Sequence, residues 1–141
     1  MIYKHKIITL MTVFSLMSFG LGQDNNPPEL TYFSFSPDTV NLNSRNPVEF
    51  IVEGTDDLSG FDGYEILIQT EDGDNYTWVY DWGFSGETEV SDTTFMTFEE
   101  NDPDGLWFIP YIHMRDETGN SDIVYRDELE NMGYPTEIFV T

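Results

Sequence analysis

The sequence predicts an all-β fold, an antiparallel sandwich, and three observations point there. Apolar and polar residues alternate in short runs, most clearly in Val48-Glu49-Phe50-Ile51-Val52-Glu53. Clusters of turn formers, such as Asp56-Asp57-Leu58-Ser59-Gly60 and Asp116-Glu117-Thr118-Gly119-Asn120, separate the runs. No stretch keeps an apolar period of 3.6 long enough for a helix of ordinary length. Roughly seven to nine short strands in one small domain suit a sandwich, with a small barrel as the alternative.

The chain has 141 residues, and its first 22 read as an address. Lys4, His5 and Lys6 are basic, Ile7 to Leu16 is mainly apolar, and Ser18, Gly20 and Gly22 are small. That three-part layout predicts a secretory signal peptide over residues 1–22, cut after Gly22 or else after Gly20. The other reading is a short membrane anchor, but the apolar run is shorter than the roughly 20 residues a span needs. Lipid anchoring at the junction would need a cysteine, and the chain has none. The expected location is therefore secreted or cell-surface.

A polar lead-in, residues 23–29, precedes a sandwich expected over residues 30–141. Leu30 to Ser36 alternates with an ambiguous register, since either Tyr32 or Phe33 can point inward. Val40-Asn41-Leu42 is a short extended piece. In the next strand Val48, Phe50 and Val52 share one face, and in Tyr64 to Gln69 the inward set is Tyr64, Ile66 and Ile68. Glu71 to Asn75 reads as a hairpin turn leading into an aromatic strand, Tyr76 to Trp82. Asp81 to Asp92 reads as loop with at most a short edge strand, and Thr93 to Phe98 as strand. In the long candidate Leu106 to Arg115, Trp107 and Ile109 share a face, and Ile112 and Met114 share a face. The odd spacing between the two pairs calls for a bulge near Pro110. Ser121 to Tyr125 returns as strand, Asp127 to Gly133 forms at most a turn or two of helix closed by glycine, and Thr136 to Val140 is the last strand.

Charge excludes several functions. The whole chain carries 27 Asp and Glu against 5 Lys and Arg. Removing residues 1–22 leaves Arg45, Arg115 and Arg126 against the same 27 carboxylates, a net charge of −24. Such a surface repels DNA, RNA and anionic membranes. It also raises the question of bound cations, since unscreened repulsion opposes a compact state. Without cysteine, thiolate chemistry and cysteine-ligated zinc are excluded.

Three stretches together carry a resemblance. They are Pro28-Glu29-Leu30 through Phe33-Ser34-Phe35-Ser36-Pro37, then Asp56-Asp57-Leu58-Ser59-Gly60, then Gly105-Leu106-Trp107-Phe108-Ile109 through Met114-Arg115-Asp116-Glu117-Thr118-Gly119-Asn120 and on to Tyr125, Leu129 and Gly133-Tyr134-Pro135. The chain resembles the bacterial immunoglobulin-like domains of secreted and cell-surface proteins. The resemblance implies a β-sandwich used in adhesion, spacing or sugar contact, and no particular reaction.

In an immunoglobulin-like topology the Asp56-Asp57 loop and the Asp116–Asn120 loop lie at one end. Asp56, Asp57, Asp116 and Asn120, with Asp62 approaching and Glu117 in reserve, would then offer the oxygen ligands calcium wants. The competing reading is plain turn chemistry, in which Asp and Asn bond their own backbone. The second candidate is aromatic. Tyr76, Trp78, Tyr80 and Trp82 alternate along one strand, either as an exposed row for a glycan or a surface protein or as core filling. Trp107 reads as core. Among the residues after the leader His113 is the sole histidine, outward if Met114 points in, and it lacks the partners of a catalytic triad. The expected function is a secreted, non-enzymatic binding or structural module. The alternative is a small extracellular hydrolase or inhibitor using surface carboxylates.

Overall fold

The structure is a computed structural model that describes residues 22–141. The expected signal peptide, Gly22 apart, lies outside the described residues. The strands are β1 (Glu29–Ser36), β2 (Thr39–Val40), β3 (Val48–Thr55), β4 (Phe61–Thr70), β5 (Tyr76–Asp81), β6 (Glu89–Met96), β7 (Gly105–Phe108), β8 (Tyr111–Asp116), β9 (Ser121–Tyr125) and β10 (Glu137–Val140), with one short helix, α1 (Arg126–Asn131), before β10. They form two packed sheets, an immunoglobulin-like sandwich. The smaller sheet runs β1-β3-β6, and the larger runs β2-β10-β7-β4-β8-β9 with β5 on the other edge of β4.

One pair departs from the antiparallel expectation. β2 lies parallel to β10, with Val40 opposite Val140. The chain leaves the smaller sheet at Ser36 and Pro37, where proline has no N–H for a ladder, and β2 continues on the opposite sheet. The ambiguous register of β1 resolves by a bulge between Leu30 and Tyr32. Leu30, Phe33 and Phe35 turn into the core, and Tyr32 faces out against Tyr134.

The long strand candidate is broken where its phase required. β8 pairs Ile112 with Ile66 of β4, whereas β7 pairs Phe108 with Gln69, one residue off a continuous ladder. The slip falls at Ile109 and Pro110, between β7 and β8. It lets Trp107, Ile109, Ile112 and Met114 all be buried. The return after β8 is divided in the same way, as the sequence pattern expects. β9 lies on β8 and β10 on β7, with α1 inserted between them. Leu129 of α1 is buried, and the helix closes where Gly133 takes φ +83° and the Tyr134 N–H reaches the Leu129 carbonyl at 3.0 Å.

The strand expected at 93–98 starts and ends earlier, at Glu89 and Met96. As an edge of the smaller sheet β6 carries Ser91, Asp92 and Thr93, so its alternation is polar and invisible to an apolar count. Phe98 leaves the strand and packs edge-on against Trp107, ring centroids 5.1 Å apart. Trp107 is core as expected, and its indole N–H donates to the Pro103 carbonyl at 3.0 Å.

Tyr64 ties the sheets together. It is fully buried on β4, and its hydroxyl donates to Asp92 Oδ2 on β6 at 2.7 Å, with Thr94 Oγ1 at 3.2 Å. Phe84, from the loop before β6, meets Phe61 edge-on and Tyr64 at a tilt and covers that edge of the core. Burial, chiefly, and the Asp92 carboxylate push the Tyr64 phenol far above the ordinary range. Tyr64→Phe should cost about 1–3 kcal/mol near neutral pH, because Asp92 loses its buried donor. The raised phenol contributes its share below the unfolded-state pKa of about 10, and that share is lost as pH rises towards the folded value. Urea unfolding at pH 8 and above pH 10 should therefore show the gap between parent and variant shrinking in alkali.

Candidate functional site

Two places on the sandwich hold the sequence candidates. The first is the outer face of the larger sheet. Val79 points inward from β5, so Tyr76, Trp78 and Tyr80 point out, 62%, 37% and 61% exposed. The structure thus decides between the two readings of this row: it is surface, not core. Register carries the face across the sheet. Tyr80, Trp78 and Tyr76 stand opposite Glu65, Leu67 and Gln69 of β4, and His113 of β8 stands opposite Glu65 and Ile123. Trp78, opposite Leu67, and Tyr111 approach with ring centroids 6.1 Å apart, and Tyr111 and Tyr125 with centroids 6.3 Å apart. An aromatic band therefore crosses β5, β4, β8 and β9.

Polar groups stand within this band. His113 Nδ1 lies 3.3 Å from Glu65 Oε1. Desolvation first, and then the Glu65 charge, push the Tyr111 phenol above its ordinary value. At one end of the band Tyr125 and Gln69 lead into an open groove of about 430 Å³, whose wall includes Phe108, Pro110 and Arg126. The Arg126 guanidinium sits over the Phe108 ring, 4.2 Å from its centre.

Trp82 belongs to the same row but is presented differently. It lies just past β5 and covers Gly63, where a Cβ would collide with its ring. Arg115 stacks on it at 4.8 Å, and His113 meets it edge-on at 6.1 Å. The ring is half-buried, so it anchors one end of the row.

The second place is the pole where the β3–β4 and β8–β9 loops meet. The Glu117 N–H donates to the Gly60 carbonyl at 2.9 Å, which puts both loops at one end of the molecule. The five residues expected to share a cation there are not brought together. Asp62 turns to the outer face, where the Arg115 Nε donates to its Oδ2 at 2.7 Å. Asp116 is buried and its carboxylate is fully engaged. Its Oδ1 accepts from the Thr118 N–H, the Thr118 hydroxyl and the Asn120 N–H at 2.8–3.0 Å, and its Oδ2 accepts from Asn120 Nδ2 at 2.7 Å. Asp116 and Asn120 therefore build their own turn. The hairpin acid Asp72 acts alike: the Thr70 hydroxyl, first, and the Asp74 N–H hold its carboxyl below the usual value.

Asp56 and Asp57 gain a partner from the lead-in. One carboxylate oxygen each from Asp24, Asp56 and Asp57 lie within 4.8 Å of one another. Asp24 is buried, taking the Ser59 N–H on Oδ2 at 2.8 Å and the Asn26 N–H on Oδ1 at 3.1 Å. Polar contact with Ser59, first, and the Asn26 N–H hold the Asp24 carboxyl below the usual value. Asn120 Nδ2 reaches the Asp24 carbonyl at 3.2 Å, so the lead-in is docked on both loops. Sequence reasoning missed Asp24 because it read residues 23–29 as a connector. The available signal was the polar run Gln23 to Asn26 ahead of Pro27 and Pro28, a place for an Asx turn that aims a carboxylate back at the domain.

No protein-family model matches this chain, and no curated protein is significantly similar to it.

The two kinds of acid at the pole should part on mutation. Asp116→Ala removes the acceptor of four hydrogen bonds inside a closed turn and should cost about 2–4 kcal/mol. Asp57→Ala, at an exposed residue, should change stability by less than about 0.5 kcal/mol in dilute sodium chloride. Urea unfolding of both variants with the parent checks this.

Proposed function

We propose that this protein is a secreted, non-enzymatic binding module, and that the outer face of its larger sheet contacts a neutral glycan. The observation that carries the reading is the exposed aromatic band from Tyr76, Trp78 and Tyr80 across Tyr111 to Tyr125. Flat ring faces stack on the C–H faces of sugars, and Glu65, Gln69 and His113 stand between them to bond hydroxyl groups. Trp82, fixed by Arg115 and Gly63, holds one end rigid, which lowers the ordering cost of binding.

Charge narrows the class of glycan. With all three arginines paired to carboxylates, the surface field is acidic throughout and opposes uronic-acid or sulfated polymers. Uncharged chains escape that repulsion. The resemblance to bacterial immunoglobulin-like domains and the signal peptide expected over residues 1–22 agree with this role.

Affinity electrophoresis and titration calorimetry against soluble neutral polysaccharides, such as a β-glucan, a xylan and a galactomannan, test the reading. Binding to at least one is expected. Trp78→Ala should weaken it at least tenfold while moving the melting temperature by no more than about 2 °C, because an exposed ring stabilises the fold little. Failure to bind any neutral glycan, or equal binding by the variant, overturns the proposal.

A further inference from the structure

We propose that Asp24, Asp56 and Asp57 bind a divalent, oxygen-seeking cation of calcium's size, and that this ion clamps the lead-in onto the β3–β4 loop. The site is separate from the aromatic face and does not depend on its function.

Two independent observations support it. The first is proximity. Three carboxylates from two distant segments bring an oxygen each within 4.8 Å of the others, and among the described residues no basic side chain pairs with any of them. Opposite ligands of one calcium ion stand up to about 5 Å apart, so these oxygens can share an ion without moving far. The second is an unmet bond. Asp56 is only 9% exposed, and its Oδ2 accepts the Gly60 N–H at 2.6 Å and the Leu58 N–H at 3.2 Å. Its Oδ1 is closed off from solvent and has no hydrogen-bond partner. A buried carboxylate oxygen without a donor carries a desolvation cost of a kind that proteins rarely leave unmet. A cation meets it, where a turn hydrogen bond does not.

The surroundings favour calcium over magnesium. Asn26, Pro27, Glu29 and Thr55 line an open cleft of about 250 Å³ beside Asp56 and Asp57. That cleft leaves room for water to complete a shell of six to eight oxygens. Magnesium demands a tight octahedron and keeps most of its water, so three carboxylates fixed by other bonds suit it less. Asp24, on the lead-in, and Asp56 with Asp57, on the loop after β3, would be joined through the ion. The lead-in is now held by weaker ties, including the 2.6 Å bond from Asn26 Nδ2 to the exposed Asp57 Oδ2.

The test is thermal melting and calorimetry of the purified protein in calcium, magnesium and sodium chlorides at one ionic strength. Calcium at a few millimolar should raise the melting temperature several degrees above the other two salts, since binding to the folded state alone stabilises by mass action. Asp56→Asn risks the loop itself, because Oδ2 caps two N–H groups. Asp57 caps no backbone N–H group, so Asp57→Asn is the cleaner working variant; Asp24→Asn, which also loosens the Ser59 and Asn26 N–H bonds, is the second. Each should lower calcium affinity at least tenfold, and Asp62→Asn should leave it unchanged. Calcium should also slow proteolytic cutting within residues 23–29 in the parent and not in Asp57→Asn. Equal shifts in the three salts, or a calcium response that survives both working variants, would overturn the site and leave only charge screening.

Discussion

Tyr64, Ile66 and Ile68 turn inward from β4, and that single buried row sets what the larger sheet shows to solvent. Side chains alternate along a strand, so Glu65, Leu67 and Gln69 must face out. β4 is bonded along one edge to β5 and along the other to β7 and β8, so its phase passes to both neighbours. Trp78 falls opposite Leu67, His113 opposite Glu65, and the aromatic band follows from register. A one-residue slip on β4 would turn Tyr64 away from Asp92 and expose the isoleucines. The break at Ile109 and Pro110 serves the same constraint, since it keeps Trp107 and Ile112 on one side of a strand whose spacing is out of phase.

The acidic residues divide by what they bond. Asp116, Asp72 and Asp56 Oδ2 accept backbone N–H groups that the turns leave without a partner, so part of the negative charge holds loops in shape. Gly60 shows how closely the pole is packed: it takes φ +82°, and a Cβ there would collide with the Gly86 backbone. Asp57 and the free oxygen of Asp56 stand outside this pattern. They carry charge at a rigid place without building the turn, which separates a candidate ligand from a structural acid.

Much of the fold was legible because the relevant signals are local. Val48, Phe50 and Val52 declare their inward face by alternation, and the turn from Asp116 to Asn120 declares itself by residues that bond their own backbone. The missed features depend on partners far along the chain. The first half of β6, Glu89 to Asp92, hid because an edge strand tolerates polar residues on both faces, and its ladder is set by β3. The parallel β2–β10 pair needs two segments about a hundred residues apart to meet. Asp24 looked like connector because its bonds are to Ser59 and Asn120.

The sequence by itself determined the fold class, the inward row of each well-patterned strand, the acidic surface and the alternation of Tyr76, Trp78, Tyr80 and Trp82, because each follows from period, composition or neighbouring residues. Only the tertiary structure decided whether that aromatic row was core or surface, since both faces of a strand show the same period. It also decided which acids meet. Asp62 and Asp57 are equally acidic in the sequence, yet one is drawn to Arg115 across β4 and β8 while the other stays at the pole beside Asp24. Burial and long-range pairing assign such roles, and neither is encoded within a window of a few residues.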